Sequence, residues 1–406
     1  MDNEVSMVGR AALAKVTRRL IPFMFVLYVV AFLDRVNVGF AALQMNEDLG
    51  FSDAVYGLGA GIFFIGYFLF EVPSNLILER IGARVWIARI MITWGIVSMA
   101  MFLVQGPVSF YILRFLLGFA EAGFFPGMIL YLTYWFPARE RARAVALFMT
   151  AVPIAGVIGS PLSGALLTLD GLAGLAGWQI LFLAEGLPAV ILGFVVLFYL
   201  ANGPNDARWL EPEERGWLRE ALERENRIKA NHGRYTTRQA LTNGKVWLLC
   251  AIYFGVVTSL YGVSLWLPLI IEDFSGLGEF AIGLLGAIPY GAAAVGMVVF
   301  ARHSDATGER RWHVAVAAFI GTAGLVLTGL VGSVSALEMA ALALAALGIY
   351  STLATFWSLP TAFLSGTAAA AGIALINSFG NLGGFVGPYV VGYLSDTTGS
   401  FYTGLL

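Results

Sequence analysis

The chain is organised as long apolar runs separated by short polar or charged stretches. Eleven of these runs are long enough to cross about 30 Å of hydrocarbon at 1.5 Å per residue, so the pattern predicts transmembrane helices. Barrel strands do not fit, because they are about ten residues long and alternate in polarity. The predicted spans cover residues 20–40, 56–78, 85–104, 108–134, 144–168, 178–200, 245–271, 281–301, 312–332, 336–358 and 368–393. The sequence ends at Phe401–Leu406, where a twelfth span would begin.

The composition supports lipid as the solvent of this chain. Of its 406 residues, 59% are hydrophobic and only 12% are charged, whereas a soluble domain has about 25% charged residues. The net charge of −2 gives no basic field that would recruit nucleic acid. The single cysteine, Cys250, cannot form an intrachain disulfide. The sequence therefore predicts an all-α membrane protein.

The basic residues show how the spans are oriented. Of the 24 Lys and Arg residues, 22 lie in the N-terminal tail or near the loops that follow even-numbered spans. This is the positive-inside pattern, which predicts that both termini and the central loop are cytoplasmic. We expect an N-terminal bundle over residues 1–200, a cytoplasmic linker over 201–244 and a C-terminal bundle over 245–406. Within the linker, Trp209–Arg227 reads as a surface amphipathic helix.

The two remaining basic residues, Arg35 and Arg114, lie inside spans together with Asp34 and Glu121. A charge at mid-bilayer costs at least ~2.5–3.5 kcal/mol, so such residues normally face a cavity and pair. Counting from the span ends places Asp34 and the two arginines at one depth and Glu121 one or two turns nearer the cytoplasm. Arginine binds carboxylates through two donors and stays charged, while buried carboxylates can exchange protons. We predict that Asp34 and Glu121 couple protons and that Arg35 and Arg114 bind an anionic substrate.

Other polar residues inside the spans suggest a division of roles between the halves. Glu71 and Glu185 are expected to cap helices or to bond neighbouring backbone. The second half has essentially no charge inside its spans, and we expect it to shape the substrate site with neutral groups. These groups are Tyr253, Tyr261, Tyr290, Trp357, Asn377, Ser378 and Asn381. No spacing typical of a metal site, a nucleophile–base pair or a phosphate loop is present, so we expect no enzymatic activity and no cofactor besides protons as coupling ions.

Two loops carry a recognisable motif. The loop after span two contains Glu79, Arg80 and Arg84, and it resembles the major facilitator signature Gly-x-x-x-Asp-Arg-x-Gly-Arg-Arg. A degenerate copy beginning at Asp305 follows span eight. Copies in corresponding positions of two halves indicate an internal repeat. The resemblance implies the major facilitator fold of two six-helix bundles, here with eleven complete spans and the start of a twelfth, and a gating role for these four motif residues.

Four further segments are similar to the anion:cation symporter family, in particular to its branch of tartrate, phthalate and hydroxyphenylacetate permeases. They are 32–37, 66–75, 114–127 and 377–384. The resemblance covers essentially the whole chain and implies proton-coupled carboxylate symport. It makes Asp34 and Glu121 the protonatable pair and Arg35 and Arg114 the paired arginines. It also implies that Tyr67, Trp357 and Asn377 line the substrate pocket.

The resemblance also narrows the substrate. Phe32, Val152 and Phe356 stand where sugar-acid carriers of the family tend to place polar groups. A buried hydroxyl without a partner costs roughly 1–3 kcal/mol, so we expect an aromatic acid or a short dicarboxylic or hydroxy acid. The expected protein is a monomeric, multi-pass importer in the cell inner membrane.

Two alternatives remain. Segment 156–164 is partly like the antiporter motif, which would suit a proton-coupled drug or metabolite exporter of the same fold. A non-transporting nutrient sensor is the other.

Overall fold

The computed structural model describes residues 7–231, 242–331, 335–363 and 366–405. The regular elements of these residues are helices: α1 Met7–Leu49, α2 Asp53–Ile81, α3 Ala83–Ala100, α4 Pro107–Glu121, α5 Phe124–Thr133, α6 Ala138–Met149, α7 Ala151–Leu167, α8 Gly177–Tyr199, α9 Pro212–Asn231, α10 Gly244–Ser275, α11 Glu279–Thr307, α12 Arg311–Leu330, α13 Ser335–Phe356, α14 Ser358–Phe363, α15 Gly366–Thr398 and α16 Phe401–Leu405. Within the described residues, ten helical segments are long and apolar enough to cross a membrane. The predicted eleventh span lies inside α15, a helix of 33 residues.

The helices pack as two bundles. In the first, which we call the N-bundle, α1 contacts α7 and α8, α3 packs on α8, and α2 packs on α4. In the second, the C-bundle, α10 packs on α15, and α13 contacts both α11 and α12. Contacts between the bundles run along three helix pairs, α2 with α15, α7 with α11 and α1 with α10. The predicted all-α membrane fold is confirmed.

Helix α9 lies in the predicted linker and is held against the N-bundle. Lys15 of α1 lies 2.8 Å from the Glu214 carboxylate, and Arg141 of α6 lies 3.1 Å from Glu225. The helix starts three residues later and ends four residues later than predicted. Residues 232–241 of the linker lie outside the described residues.

We call the side of the molecule that carries the basic loops the basic face, and the other side, where α2 begins and α15 ends, the opposite face. The two bundles meet closely at the opposite face. A Cβ on Gly57 would lie 2.5 Å from the Pro388 carbonyl oxygen, and one on Gly164 would lie 3.0 Å from the Cα of Gly283. The Asp396 carboxylate accepts hydrogen bonds of 3.0 Å from the first two amides of α2. Only glycine allows such an approach of two backbones, so the bundles are tightly joined here.

Two spans are broken at corresponding positions of the two bundles. The fourth span divides into α4 and α5 at Gly123, whose φ is +86°, and the tenth divides into α13 and α14 at Trp357. Glu121 is the last residue of α4 and therefore lies at the first break. Interrupted helices in matching positions of two repeats are a feature of transporter binding sites.

Candidate functional site

Arg35 connects the two bundles at the end of α4. Its Nη2 forms an ion pair with the carboxylate of Glu121, and its Nη1 donates a 3.0 Å hydrogen bond to the hydroxyl of Tyr261. Glu121 belongs to the N-bundle and Tyr261 to α10 of the C-bundle. Both charged residues are almost fully buried. Two of the four predicted ionisable residues are therefore brought into direct contact at the bundle interface.

Aromatic rings surround this guanidinium. The Cζ of Arg35 lies 5.5 Å from the centre of the Phe63 ring and 5.3 Å from that of Tyr67. Cations are attracted to ring faces at such distances. The ring of Tyr261 in turn lies 4.3 Å from that of Phe64, centre to centre. Tyr67, a predicted pocket residue, thus lies beside Arg35.

Arg114 has a different environment from Arg35. Its Nε donates to the Gly59 carbonyl at 3.3 Å and its Nη2 to the Ala60 carbonyl at 3.1 Å, so its donors are directed at the backbone of α2. Its Cζ lies 5.0 Å from the centre of the Phe63 ring, which it shares with Arg35. The side chain is completely buried inside the N-bundle. Of these two arginines, Arg35 is therefore the one whose described hydrogen bonds reach the C-bundle.

Asp34 points into the N-bundle. Its carboxylate accepts hydrogen bonds from Trp94 at 2.5 Å, Ser98 at 2.7 Å and Asn37 at 3.3 Å. Trp94 and Ser98 lie on α3, away from the α1–α10 contact. Three donors stabilise the charged form of a carboxylate. Asp34 and Glu121 thus lie in the same region of the N-bundle, but their carboxylates accept hydrogen bonds from different residues.

Glu71 does not behave as sequence reasoning predicted. Its Oε1 accepts a 2.5 Å hydrogen bond from Asn377, and its Oε2 accepts a 3.0 Å bond from Asn381. Both asparagines lie on α15, so the expected cap or backbone contact is wrong. The two asparagines are four residues apart on one helix face, a signal that could have suggested a shared partner. The expectation for Glu185 is also wrong, since its carboxylate accepts a 2.7 Å bond from Ser163 of α7.

The break in the tenth span carries an aromatic cluster. Trp357 lies 4.8 Å from Tyr253, measured between ring centres, and Tyr253 stacks on Phe356 at 4.9 Å. These rings belong to the C-bundle, opposite the charged residues of the N-bundle. Tyr253 and Trp357 are two of the neutral residues that the sequence predicted to shape the substrate site in this half.

The loop-motif residues lie on the basic face. Glu79, Arg80 and Arg84 are exposed at the junction of α2 and α3, where the Arg84 amide donates a 3.0 Å bond to the Asn202 side chain. In the second copy, Asp305 and Arg310 form a 2.6 Å ion pair. The two copies therefore occupy matching helix junctions of the two bundles.

Comparison with known proteins identifies the family. The sequence profile of the Major Facilitator Superfamily matches residues 24–388. The chain belongs to this superfamily. A protein of Agrobacterium vitis named "Putative tartrate transporter" is 57% identical over 395 residues, which are 97% of this chain and 87% of the relative. The "Quinolone resistance transporter" of Acinetobacter baumannii is 47% identical over 390 residues, covering 96% and 90% of the two chains.

Solved structures agree with this fold. A bacterial homolog of the human lysosomal transporter Spinster superposes with a TM-score of 0.75 at 20% identity, over 97% of this chain and 84% of the other. The superfamily match and the relatives at 57% and 47% identity make this chain a multi-pass membrane transporter and not an enzyme. The resemblance drawn from the loop motifs is confirmed at the level of the superfamily.

Proposed function

We propose that this transporter is a proton-coupled symporter that imports a small organic carboxylate across the inner membrane, with its N-terminus in the cytoplasm. The observation that supports this most is the contact of Arg35 with Glu121 on one bundle and Tyr261 on the other. A guanidinium remains charged under all cellular conditions. The anionic group that pairs with Arg35 therefore determines which arrangement of the two bundles is stable.

The contact between Arg35 and Glu121 couples the binding of a proton to the binding of the substrate anion. When Glu121 takes up a proton, Arg35 loses its anionic partner and becomes a binding site for a substrate carboxylate. A buried cation without a partner is costly, so the proton and the anion bind best together. The pair of Arg35 with ionised Glu121 and the set of Arg35, protonated Glu121 and one substrate carboxylate carry the same net charge. Each can therefore remain buried while the bundles move.

Asp34 keeps the role of a second proton-coupling carboxylate in this proposal, and Arg114 that of a second arginine near the site. Both are buried close to the Arg35–Glu121 pair, and the described hydrogen bonds of both side chains go to partners within the N-bundle. The gating role belongs to Glu79, Arg80, Arg84 and Asp305 at the helix junctions of the basic face.

The substrate class is an aromatic acid or a short dicarboxylic or hydroxy acid. Tyr67 beside Arg35 and the Tyr253–Trp357 pair across the interface offer ring faces, and Asn377 offers an amide. The relative named as a tartrate transporter supports a short hydroxy dicarboxylate within this class. Stronger uptake of a sugar acid than of tartrate or phthalate would contradict the assignment.

The experiment is uptake into proteoliposomes by the purified protein, using a panel of labelled carboxylates. We expect accumulation above equilibrium only when the outside is more acidic than the inside. The matched control is the same protein with the proton gradient collapsed by an ionophore. Binding of a carboxylate without any uptake would support the sensor alternative.

A second candidate is a proton-coupled exporter, favoured by the quinolone resistance relative at 47% identity. An exporter of this kind exchanges its substrate for protons. It would therefore accumulate a quinolone in vesicles whose interior is acidic. Testing both gradient directions with both substrate types separates the two mechanisms.

A further inference from the structure

Glu71 is the carboxylate that the Arg35–Glu121 mechanism leaves without a role. It lies in the second half of α2, and only 5% of its surface is exposed. Its two oxygens accept hydrogen bonds from Asn377 and Asn381, which are neutral amides of the C-bundle. A carboxylate in the membrane interior without a bonded cation is costly unless donors stabilise it. Here both of those donors come from the opposite bundle.

The position of Glu71 along the α2–α15 contact is informative. Starting from the opposite face, Gly57 lies against Pro388, Gly61 against Phe385 and Phe64 against Gly384. Glu71 follows as the last of these contacts toward the basic face. Beyond it, Ser74 and Leu78 of α2 lie against Gly123 and Gly127 of the N-bundle. Among the contacts of the described residues, Glu71 is thus the α2–α15 contact nearest the basic face.

We propose that Glu71 is a further proton-binding residue, whose charged form stabilises the arrangement in which α2 and α15 meet. Separation of the two helices at this depth removes both amide donors at once. The carboxylate then binds a proton more strongly, because its charge has lost its partners. Proton binding at Glu71 consequently favours the separated arrangement. This inference extends the proposed proton coupling from Glu121 and Asp34 to Glu71.

The charged and titratable groups around Glu71 do not replace those donors. Arg35 of α1 acts on it electrostatically, and the Glu71 charge in turn acts on Tyr67 of α2 and Tyr253 of α10. Its partners on α15 are the two neutral amides. Arg35 is itself paired with Glu121. The stabilisation of the Glu71 charge by Asn377 and Asn381 thus depends on the position of α15.

The test measures the distance between the bundles directly. Spin labels are attached at Glu47→Cys on α1 and Thr397→Cys on α15, both exposed at the opposite face, in a Cys250→Ala background in lipid nanodiscs. The substitution Glu71→Gln keeps the side-chain shape and removes the charge. We expect it to increase the long-distance population relative to the short one by about tenfold, the scale of a hydrogen bond to a charged group. Acidification should shift the parent protein in the same direction and shift Glu71→Gln less.

Two further variants make the result specific. Asn381→Ala removes one donor and should shift the population as Glu71→Gln does, while the double variant should add little, because both changes act on one contact. Glu185→Gln is the matched control, since Glu185 is a buried carboxylate bonded to Ser163 within the N-bundle. An unchanged distance distribution in Glu71→Gln, or an equal shift in Glu185→Gln, would overturn the inference. No substrate is needed, so the result is independent of whether the proposed carboxylate symport is correct.

Discussion

The guanidinium of Arg35 on α1 pairs with the carboxylate of Glu121, the last residue of α4, at the point where the fourth span is interrupted. The same guanidinium reaches Tyr261 of the opposite bundle. One arginine therefore connects a candidate proton carrier, a helix break and the bundle interface. The predictions below concern the residues that form or surround this relationship.

The first prediction distinguishes the two arginines. Arg35→Lys keeps the charge but lacks the planar fork that reaches Glu121 and Tyr261 together, so we expect uptake to fall by at least about tenfold. Arg114→Lys should affect uptake less, because Arg114 donates to backbone carbonyls of α2. Initial uptake rates, normalised to the amount of reconstituted protein, measure both. A larger loss in Arg114→Lys would assign the anion site to Arg114 instead.

The second prediction concerns Asp34. Asp34→Asn presents an amide N–H₂ to a site where Trp94 and Ser98 already donate. We expect the free energy of unfolding to fall by about 1–3 kcal/mol, the usual cost of a buried donor that loses its acceptor. Thermal unfolding in detergent gives this loss. The pH dependence of the remaining uptake shows whether Asp34 couples protons. Uptake by Asp34→Asn that no longer depends on pH would show that Asp34 is a coupling residue.

The third prediction concerns the helix break beside Glu121. Gly123→Ala forces an alanine to adopt φ +86° and brings its Cβ to 2.3 Å from the Ser74 hydroxyl. The left-handed conformation costs an L-residue roughly 1–2 kcal/mol, and the overlap adds to it. Gly171→Ala is the matched control, with φ +80° and open space around the new methyl group. Equal losses of thermal stability in both variants would show that the Ser74 contact is unimportant.

The fourth prediction concerns the closure of the opposite face. Asp396 of the C-bundle caps the first two amides of α2 in the N-bundle. Asp396→Ala should weaken this contact by about 1 kcal/mol, the usual contribution of a helix N-cap. In the spin-labelled protein described above, the long-distance population should therefore rise about fivefold. Thr398→Ala, an exposed change two residues from Asp396, should leave the distribution unaltered.

The membrane spans could be predicted from the sequence because lipid imposes a simple rule. Helices must be about twenty apolar residues long, and a charge within them is conspicuous. Arg35 and Glu121 stand out in the sequence for this reason. The loop motifs likewise placed Arg84 and Asp305 at helix junctions, where the structure has them.

The direction of side chains around each helix could not be predicted in the same way. Depth follows from a rise of 1.5 Å per residue, but neighbouring residues point about 100° apart around the axis. Asp34 therefore faces α3 while Arg35 faces the C-bundle, although both lie at the same depth. The pairing of Glu71 with α15 was missed because it joins residues 306 and 310 positions apart, and only tertiary packing brings them together.

The central claim is that the proton that drives uptake binds at Glu121 and thereby frees Arg35 for the substrate. Glu121→Gln mimics the protonated residue permanently. In proteoliposomes preloaded with unlabelled substrate, this variant should still exchange labelled carboxylate, while its net uptake should no longer respond to an inward proton gradient or to external pH. If net uptake by Glu121→Gln keeps the pH dependence of the parent protein, the coupling proton binds elsewhere and the mechanism is wrong.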